Sequence, residues 1–231
     1  MKPIGVIGGI GPESTIDYYR AMIAAYRERQ PDGSYPAIVI SSVDANAMLG
    51  ALMKGELDRV TEMLVTELQR LERAGVGVAL LAANSPHIVF AEIQRRSPLP
   101  LVSIVEATAA EAARLGLKRL ALFGTRYTMQ GHFYQDVFEK AGVALIVPDE
   151  ADQIYIHDKY MTELVKGTLL PETREGLLAI VARMKARDGI DAVILGGTEL
   201  PLILRDPTTS EIPLLDTTVI HAKAIVARAM A

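Results

Sequence analysis

Short apolar runs without polar alternation recur along this chain of 231 residues, and stretches with helical spacing separate them. Such runs suit strands that are covered on both faces, as in a parallel sheet. Their alternation with helical stretches predicts an α/β fold with parallel sheets wrapped by helices. The predicted strands are Ile4–Ile7, Ala37–Ser41, Val78–Leu81, Leu101–Ile104, Leu120–Phe123, Leu145–Val147, Ala192–Leu195 and Pro213–Leu215.

Apolar residues recur at helical spacing between these runs. The clearest case is Leu57–Ala74, where five of them fall on one stripe: Val60, Met63, Leu64, Leu68 and Leu71. The predicted helices are Thr15–Arg29, Leu57–Ala74, His87–Arg96, Thr108–Leu115, Gly131–Ala141, Asp158–Lys166 and Glu172–Ala186.

The sequence also repeats itself. Gly8 followed by Tyr18 resembles Gly124 followed by Tyr134, at an offset of 116 residues. The run 79–86 resembles 193–200 at an offset of 114, and the run 100–102 resembles 213–215 at an offset of 113. Matches at nearly one offset predict two pseudo-symmetric lobes with a cleft between them.

Polar loops follow four of the predicted strands. They are Gly8–Ser14, Ala83–His87, Gly124–Thr128 and Gly196–Leu200. Ligands of open α/β sheets bind beyond the carboxyl ends of the strands, where backbone N–H groups and hydroxyls can hold an anion. The alternative is that these are ordinary helix caps, since Ser14, Ser85 and Thr128 all suit that role.

The composition removes several classes of function. The chain contains no cysteine, so it has no disulfide, no thiolate metal site and no cysteine nucleophile. The net charge of −4 argues against broad binding of nucleic acid or anionic membranes. The N-terminus predicts no signal peptide, and apolar stretches are too short to span a membrane, so we expect a cytoplasmic protein.

Other site motifs are absent or weak. The glycines at 5, 8, 9 and 11 do not match the G-x-G-x-x-G spacing of a dinucleotide site, and the four histidines are too scattered to predict a metal site. His87 is a candidate for orienting the Asn84–Ser85 loop, although a lone histidine more often serves only in hydrogen-bonded packing. Glu199 is a possible acid or base, but the helix dipole alone also favours glutamate at a helix start.

The strand-end loops together resemble a known family. The run 4–15, Asn84-Ser85-Pro86-His87, the run 124–129, Gly197-Thr198-Glu199-Leu200 and the run 213–218 with His221 are similar to motifs of the cofactor-independent aspartate/glutamate racemases. The matches extend from residue 4 to about residue 226 in the same order. The branch with a single thiol is the most similar at residues 124–129.

The resemblance implies a mechanism that this chain lacks. Members of the family invert the α-carbon of aspartate or glutamate without pyridoxal phosphate or another cofactor, using a thiolate on one face of the substrate and a thiol on the other. The motifs place these thiols at Ala83 and Gly197 of this sequence. Since neither side chain can accept or donate a proton, we expect racemisation to be weak or absent.

The substrate-holding parts of the motifs are largely retained. The resemblance implies that eight residues contact the ligand, a small carboxylate or acidic amino acid: Gly9, Ile10, Asn84, Ser85, Thr125, Thr128, Lys166 and Thr198. Lys166 would hold the distal carboxylate of the substrate, although a surface lysine near a helix end fits the same pattern. An arginine that some members carry after the second strand is replaced by the run 44–47.

Three functions remain open at this point. The chain is a racemase relative with little activity, a thiol-free decarboxylase or lyase of malonate-like acids, or a non-catalytic carboxylate-binding protein. The resemblance also implies a homodimer. It further predicts that residues 1–104 and 208–231 form one lobe and that residues 105–207 form the other.

Overall fold

The computed structural model describes residues 1–206 and 210–231, and the described chain forms two compact units. The first unit contains residues 1–107 and 218–231, and the second contains residues 108–217. Each unit is built on a four-stranded sheet in which all strands are parallel. The predicted fold class, an α/β protein with two parallel-sheet lobes, is therefore confirmed.

The sheet of the first unit has the strand order β2-β1-β3-β4. Its strands are β1 (Ile4–Gly8), β2 (Ile38–Ser42), β3 (Val78–Leu81) and β4 (Leu101–Val102). Its helices are α1 (Pro12–Arg27), α2 (Ala45–Met53), α3 (Leu57–Arg73), α4 (Phe90–Arg96) and most of α11 (Thr217–Met230), with a 3-10 helix at Ser85–Val89. Helix α5 (Ile104–Arg114) contains the boundary with the second unit.

The second unit repeats this order as β6-β5-β7-β8. Its strands are β5 (Arg119–Gly124), β6 (Ala144–Ile146), β7 (Ala192–Gly196) and β8 (Leu214–Asp216). Its helices are α6 (Arg126–Gln130), α7 (His132–Lys140), α8 (Glu150–Thr162), α9 (Pro171–Asp188) and α10 (Leu200–Leu204), with a 3-10 helix at Leu164–Lys166. The common order matches the internal repeat of the sequence.

The central strands β1, β3 and β7 are buried along their whole length, as their composition predicts, whereas the edge strand β2 is partly exposed. In the first sheet, Ile7 and Leu81 belong to one buried cluster with the stripe of α3. Val6 and Leu80, one residue earlier on the same strands, belong to a second cluster with α1 and α11. Successive side chains of a strand point to opposite faces, so each face of this sheet has its own core.

The chain departs from the sequence prediction after β7. The resemblance predicts residues 208–231 in the first lobe, but β8 pairs in parallel with β7 and residues 210–217 belong to the second unit. The backbone hydrogen bonds of Leu214–Asp216 are made with that sheet, and the first unit regains the chain only from residue 218. The predicted boundary at 207/208 itself lies outside the described residues.

Helices α2 and α8 are two of the helices that begin where the sequence predicts none. Helix α2 follows β2 in a stretch for which no helix is predicted, and α8 starts at Glu150 rather than Asp158. Each begins after an aspartate whose carboxylate accepts a hydrogen bond from a backbone N–H: Asp44 from Asn46 and Asp149 from Asp152. Such N-caps stabilise a first turn whose apolar pattern is weak. Within the described residues, no helix is long and apolar enough to cross a membrane.

Candidate functional site

The first pair of predicted site loops lies side by side in the first unit. Strands β1 and β3 are neighbours, and the N–H of Ala82 donates to the carbonyl of Ile7 at 2.9 Å. The loops that follow therefore start from adjacent strand ends. Their predicted ligand-contacting residues are all buried: Gly9, Ile10, Asn84 and Ser85.

Gly9 has a backbone that a larger residue would strain. Its φ of +83° lies in the left-handed region, and a side chain there would overlap the carbonyl oxygen of Val43 and lie 2.5 Å from Ser42 Oγ. Its N–H donates to Thr15 Oγ1 at 2.9 Å. Glycine thus allows the loop to pass tightly over the end of β2.

His87 connects the Ala83 loop to the start of α5. Its Nε2 accepts a hydrogen bond from the N–H of Ile104 at 3.3 Å, so Nδ1 carries the proton and donates to the carbonyl of Ala83 at 3.0 Å. Its ring stacks on Phe90, with centroids 4.8 Å apart. Both ring nitrogens are engaged with the backbone, which fits the orienting role that we predict for His87.

His221 and Tyr18 lie beside His87 in the same unit. Tyr18 donates to His221 Nδ1 at 2.8 Å, and His221 Nε2 donates to the carbonyl of Val102 at 2.8 Å. Burial lowers the pKa of His221 to about 4, and burial together with His221 lowers the pKa of His87 to about 3. Both rings are neutral at pH 7, so neither acts as a cation for an acidic ligand.

The loops of the second unit start from the neighbouring strands β5 and β7. Gly124 pairs with Gly196 in the register, and a side chain on Gly124 would lie 2.6 Å from the carbonyl oxygen of Gly196. Thr125 is the N-cap of α6, where its Oγ1 accepts from the N–H of Thr128 at 3.3 Å. The hydroxyls of Thr125 and Thr128 are also 3.3 Å apart. None of Ser14, Ser85 and Thr128 is an N-cap: the N-cap positions of these helices are Gly11, Asn84 and Thr125.

Gly197 lies directly after β7 and against the aromatic ring of Tyr160 from α8. The next two residues, Thr198 and Glu199, are buried, and Thr198 Oγ1 donates to Glu199 Oε2 at 3.0 Å. The hydroxyl of Tyr160 donates to the same carboxylate oxygen. Tyr160 is not predicted from the sequence, because it lies 37 positions before Gly197 in no recognisable motif.

Lys166 differs from the other predicted ligand contacts. It ends the 3-10 helix Leu164–Lys166 in the second unit, and it is exposed. Gly167, with φ of +73°, ends the turn immediately after it. An exposed lysine at this place can meet an incoming carboxylate only with its flexible side chain.

The chemistry available in these loops follows from these contacts. Ala83 offers a methyl group and Gly197 a hydrogen, so the two positions provide no acid or base. Backbone N–H groups, hydroxyls and the Asn84 amide can hold a carboxylate, while the Tyr160–Glu199 pair is a buried hydroxyl–carboxylate contact. Among residues 1–206 and 210–231, no three acidic or histidine side chains are grouped as metal ligands.

Comparison with known proteins identifies relatives along the whole chain. A model of the Asp/Glu/Hydantoin racemase family matches residues 7–225. The Bacillus subtilis (strain 168) protein named broad specificity amino-acid racemase RacX is 27% identical over 237 residues, which cover 99% of this chain and 98% of that protein.

Solved structures show the same likeness. An aspartate racemase homologue from Pyrococcus horikoshii OT3 is 32% identical, with a TM-score of 0.86 over the whole of both chains. The glutamate racemase of Francisella tularensis, solved in complex with D-glutamate, has a TM-score of 0.69 over 99% of this chain and 81% of its own. At 13% identity, the second structure is similar in fold alone.

Proposed function

Because the chain belongs to the Asp/Glu/Hydantoin racemase family, we propose that it binds a small acidic amino acid or dicarboxylate without a cofactor and does not racemise it through two thiols. The proposal depends on which residues occupy two positions at the start of the loops after β3 and β7. These residues are Ala83 and Gly197. Neither can remove or return an α-proton.

His87 does not replace the missing thiol beside Ala83. His87 is the titratable side chain bonded to the carbonyl of Ala83, and its pKa of about 3 leaves it neutral at pH 7. Its unprotonated nitrogen already accepts a hydrogen bond from the N–H of Ile104. A base at this position would have to break that contact, so we expect no efficient proton abstraction from this side.

The test combines binding with proton exchange. Thermal-shift and calorimetric titrations with aspartate, glutamate and other dicarboxylic acids should show saturable stabilisation. NMR in D₂O and chiral chromatography should then show little loss of the α-proton and little inversion. Inversion at an ordinary enzymatic rate would refute the mechanistic half of the proposal, and no shift with any acid would refute the binding half.

An isosteric variant tests whether the loop holds a carboxylate. Asn84→Asp places a negative charge in the buried loop after β3, and we expect at least a tenfold loss of affinity for any dicarboxylate that stabilises the wild type. Asn46→Asp makes the same change at an exposed site at the start of α2 and should leave binding unchanged. Equal affinity of both variants would place the ligand elsewhere.

The ligand panel extends beyond acidic compounds. The relative from Bacillus subtilis is named as a broad-specificity racemase, so neutral and basic amino acids belong in the same titration. A preference for those would correct the ligand class while keeping the family. The homodimer and the cytoplasmic location stay predictions, of which light scattering tests the first.

Decarboxylation of a malonate-type acid is the second candidate. It is favoured by the Tyr160–Glu199 contact, because such a reaction needs a proton donor on one side only. The C–C bond breaks to release carbon dioxide, the electron pair remains as an enediolate, and a proton from the hydroxyl or from water forms the new C–H bond. Release of carbon dioxide from substituted malonates, reduced in Tyr160→Phe, would establish it, and none across a broad panel would refute it.

A further inference from the structure

The backbone conformation at position 197 does not require a glycine. Its φ lies outside the left-handed region in which glycine is favoured, so a residue with a side chain could adopt it. A β-carbon built there would find Tyr160 Cζ at 3.0 Å and Tyr160 Oη at 3.1 Å, with Cε2 of the same ring closer still. These separations are well inside the ~3.5–4 Å of ordinary carbon contacts. The three nearest atoms all belong to Tyr160.

The preceding glycine shows the contrast. A β-carbon on Gly196 would lie 2.7 Å from Leu122 Cδ1 and 2.8 Å from the carbonyl oxygen of Phe123, both on the neighbouring strand β5. That strand cannot move without breaking the sheet, so the close packing of two strands explains Gly196. At position 197, in contrast, the side chain of Tyr160 alone occupies the space that a β-carbon would need.

Tyr160 is fixed where it lies. The side chain is 6% exposed, and its hydroxyl donates to Glu199 Oε2, which also accepts from Thr198 Oγ1 at 3.0 Å. Burial, together with the charge of Glu199, raises the pKa of Tyr160 well above its ordinary value, so the hydroxyl keeps its proton. Turning the ring away would leave the Glu199 carboxylate without one of its buried donors, which is costly.

We propose that Tyr160 is the residue that determines what the loop after β7 can do: its ring fills the volume of a side chain at position 197 and excludes a thiol there. In place of the thiol, this region of the second unit presents the hydroxyl of Tyr160 bonded to Glu199. The inference rests on the proposed function only in its catalytic consequence, since the exclusion itself concerns packing.

A double-mutant cycle tests the packing directly. Gly197→Cys should lower the folded-to-unfolded equilibrium constant by about 10- to 100-fold when Tyr160 is present, as expected for an overpacked core. In a Tyr160→Leu background the same change should cost less than about threefold, because leucine lacks the outer ring atoms. Urea unfolding monitored by circular dichroism measures all four proteins.

Matched variants separate the ring from its hydroxyl. Tyr160→Phe keeps the ring, so Gly197→Cys in that background should still cost at least tenfold. Ala83→Cys, which extends an existing side chain in the other unit, should have the same effect with tyrosine and with leucine at position 160. If Tyr160→Leu does not fold, Tyr160→Met provides the same comparison. Equal penalties for Gly197→Cys in the tyrosine and leucine backgrounds would overturn the proposal.

The absence of native cysteine gives a second readout. The introduced thiol is the only one in each single-cysteine variant, so its alkylation by iodoacetamide reports one position. Alkylation should be at least tenfold faster in Y160L/G197C than in G197C. Similar rates in the two proteins would mean that Tyr160 does not cover the position.

The catalytic consequence is tested by proton exchange. One thiolate can exchange the α-proton of one enantiomer with D₂O without inverting it. We expect Y160L/G197C to exchange the α-proton of aspartate or glutamate and G197C to exchange it at least tenfold more slowly. If Gly197→Cys is costly only beside Tyr160 but neither variant exchanges the α-proton, the proposed ligand is wrong and the packing role of Tyr160 is retained. If both variants exchange the α-proton at equal rates, Tyr160 does not exclude a working thiol.

Discussion

Gly9 has both a left-handed backbone and no room for a side chain, two features that occur separately at other glycines. Its φ is +83°, and a side chain would overlap Val43; Gly116 has a similar φ of +72° but nothing within 4 Å. Gly116→Ala should therefore cost about 1 kcal/mol for left-handed backbone alone, and Gly9→Ala about 2–4 kcal/mol because packing strain adds to it. Urea unfolding of the two variants checks the difference. Equal losses would mean that the loop relaxes around the added methyl group.

The buried histidines predict a pH dependence with a definite sign. An exposed histidine in the unfolded chain titrates near 6.5, whereas His87 and His221 have pKa values of about 3 and about 4 in the fold. Between these values the unfolded chain binds more protons, so the stabilisation is complete above pH ~6.5 and declines as the pH falls towards the folded pKa values.

A variant isolates the contribution of one ring. Between pH 6 and 4.5 the unfolding free energy of His221→Gln should fall less steeply than that of the wild type, by up to about 1.4 kcal/mol per pH unit, which is one proton. Denaturant titrations at several pH values measure both slopes. His132→Gln, at an exposed position, should match the wild type. Parallel slopes for the His221 variant and the wild type would show that this ring is not neutral in the fold.

Single residues of the candidate site differ in how far the sequence predicts them. Ala83 and Gly197 could be singled out because they stand beside recognisable motifs that resemble known thiol positions. Tyr160 could not, because its contact with Gly197 depends on where α8 packs, and helix packing leaves no local signal. The sequence therefore indicates that position 197 is unusual, but it does not indicate the packing of Tyr160 against that position.

Helix α3 is the element whose sequence pattern and structure agree best. Of its five predicted stripe residues, four are at most 1% exposed, and Met63 packs partly buried against the same cluster. Leu68→Ala should lower the free energy of unfolding by about 2–5 kcal/mol, because it opens a cavity in that cluster. Glu72→Ala, one turn later on the exposed face, should change it by no more than ~0.5 kcal/mol. Urea denaturation curves of the two variants give the comparison, and a loss below ~1 kcal/mol at Leu68 would contradict this packing.

Elements with weaker patterns were predicted less well, for identifiable reasons. Strands of a parallel sheet are recognisable as apolar runs in the sequence. For seven of the eight predicted runs, each end lies within one residue of the end of the observed strand. The eighth, Leu101–Ile104, is cut to two residues because α5 begins at Ile104. Helices α2 and α8 begin at aspartate caps, whose signal is shared with turns.

The internal repeat extends to the contacts of whole elements. Tyr18 and Tyr134 are equivalent in the repeat, and both are fully buried. Tyr18 bonds His221 on α11, and the hydroxyl of Thr108 on α5 is a hydrogen-bonding partner of Tyr134. The two partners are separated by the repeat offset of 113. Each helix follows the last strand of one sheet and supplies its partner residue to the other unit. This exchange could not be read from strand and helix patterns, and it explains why our lobe boundary preceded β8.

Helix α11 accordingly stabilises the first unit, although it follows the last strand of the second. Ile225, Val226 and Ala229 are buried in the cluster that includes Ile4 and Leu80. Ile225→Ala should speed amide hydrogen exchange in β1 and β3 more than in β5 and β7, because a cavity lowers the free energy of local opening in the unit that contains it.

The matched variant reverses the pattern. Leu177 is fully buried in the core of the second unit, so Leu177→Ala should speed exchange in β5 and β7 more than in β1 and β3. Mass spectrometry of proteolytic fragments resolves the two sheets. Equal acceleration in both sheets for both variants would mean that the described chain opens only as a whole, and faster exchange in the second sheet for Ile225→Ala would contradict the assignment of α11.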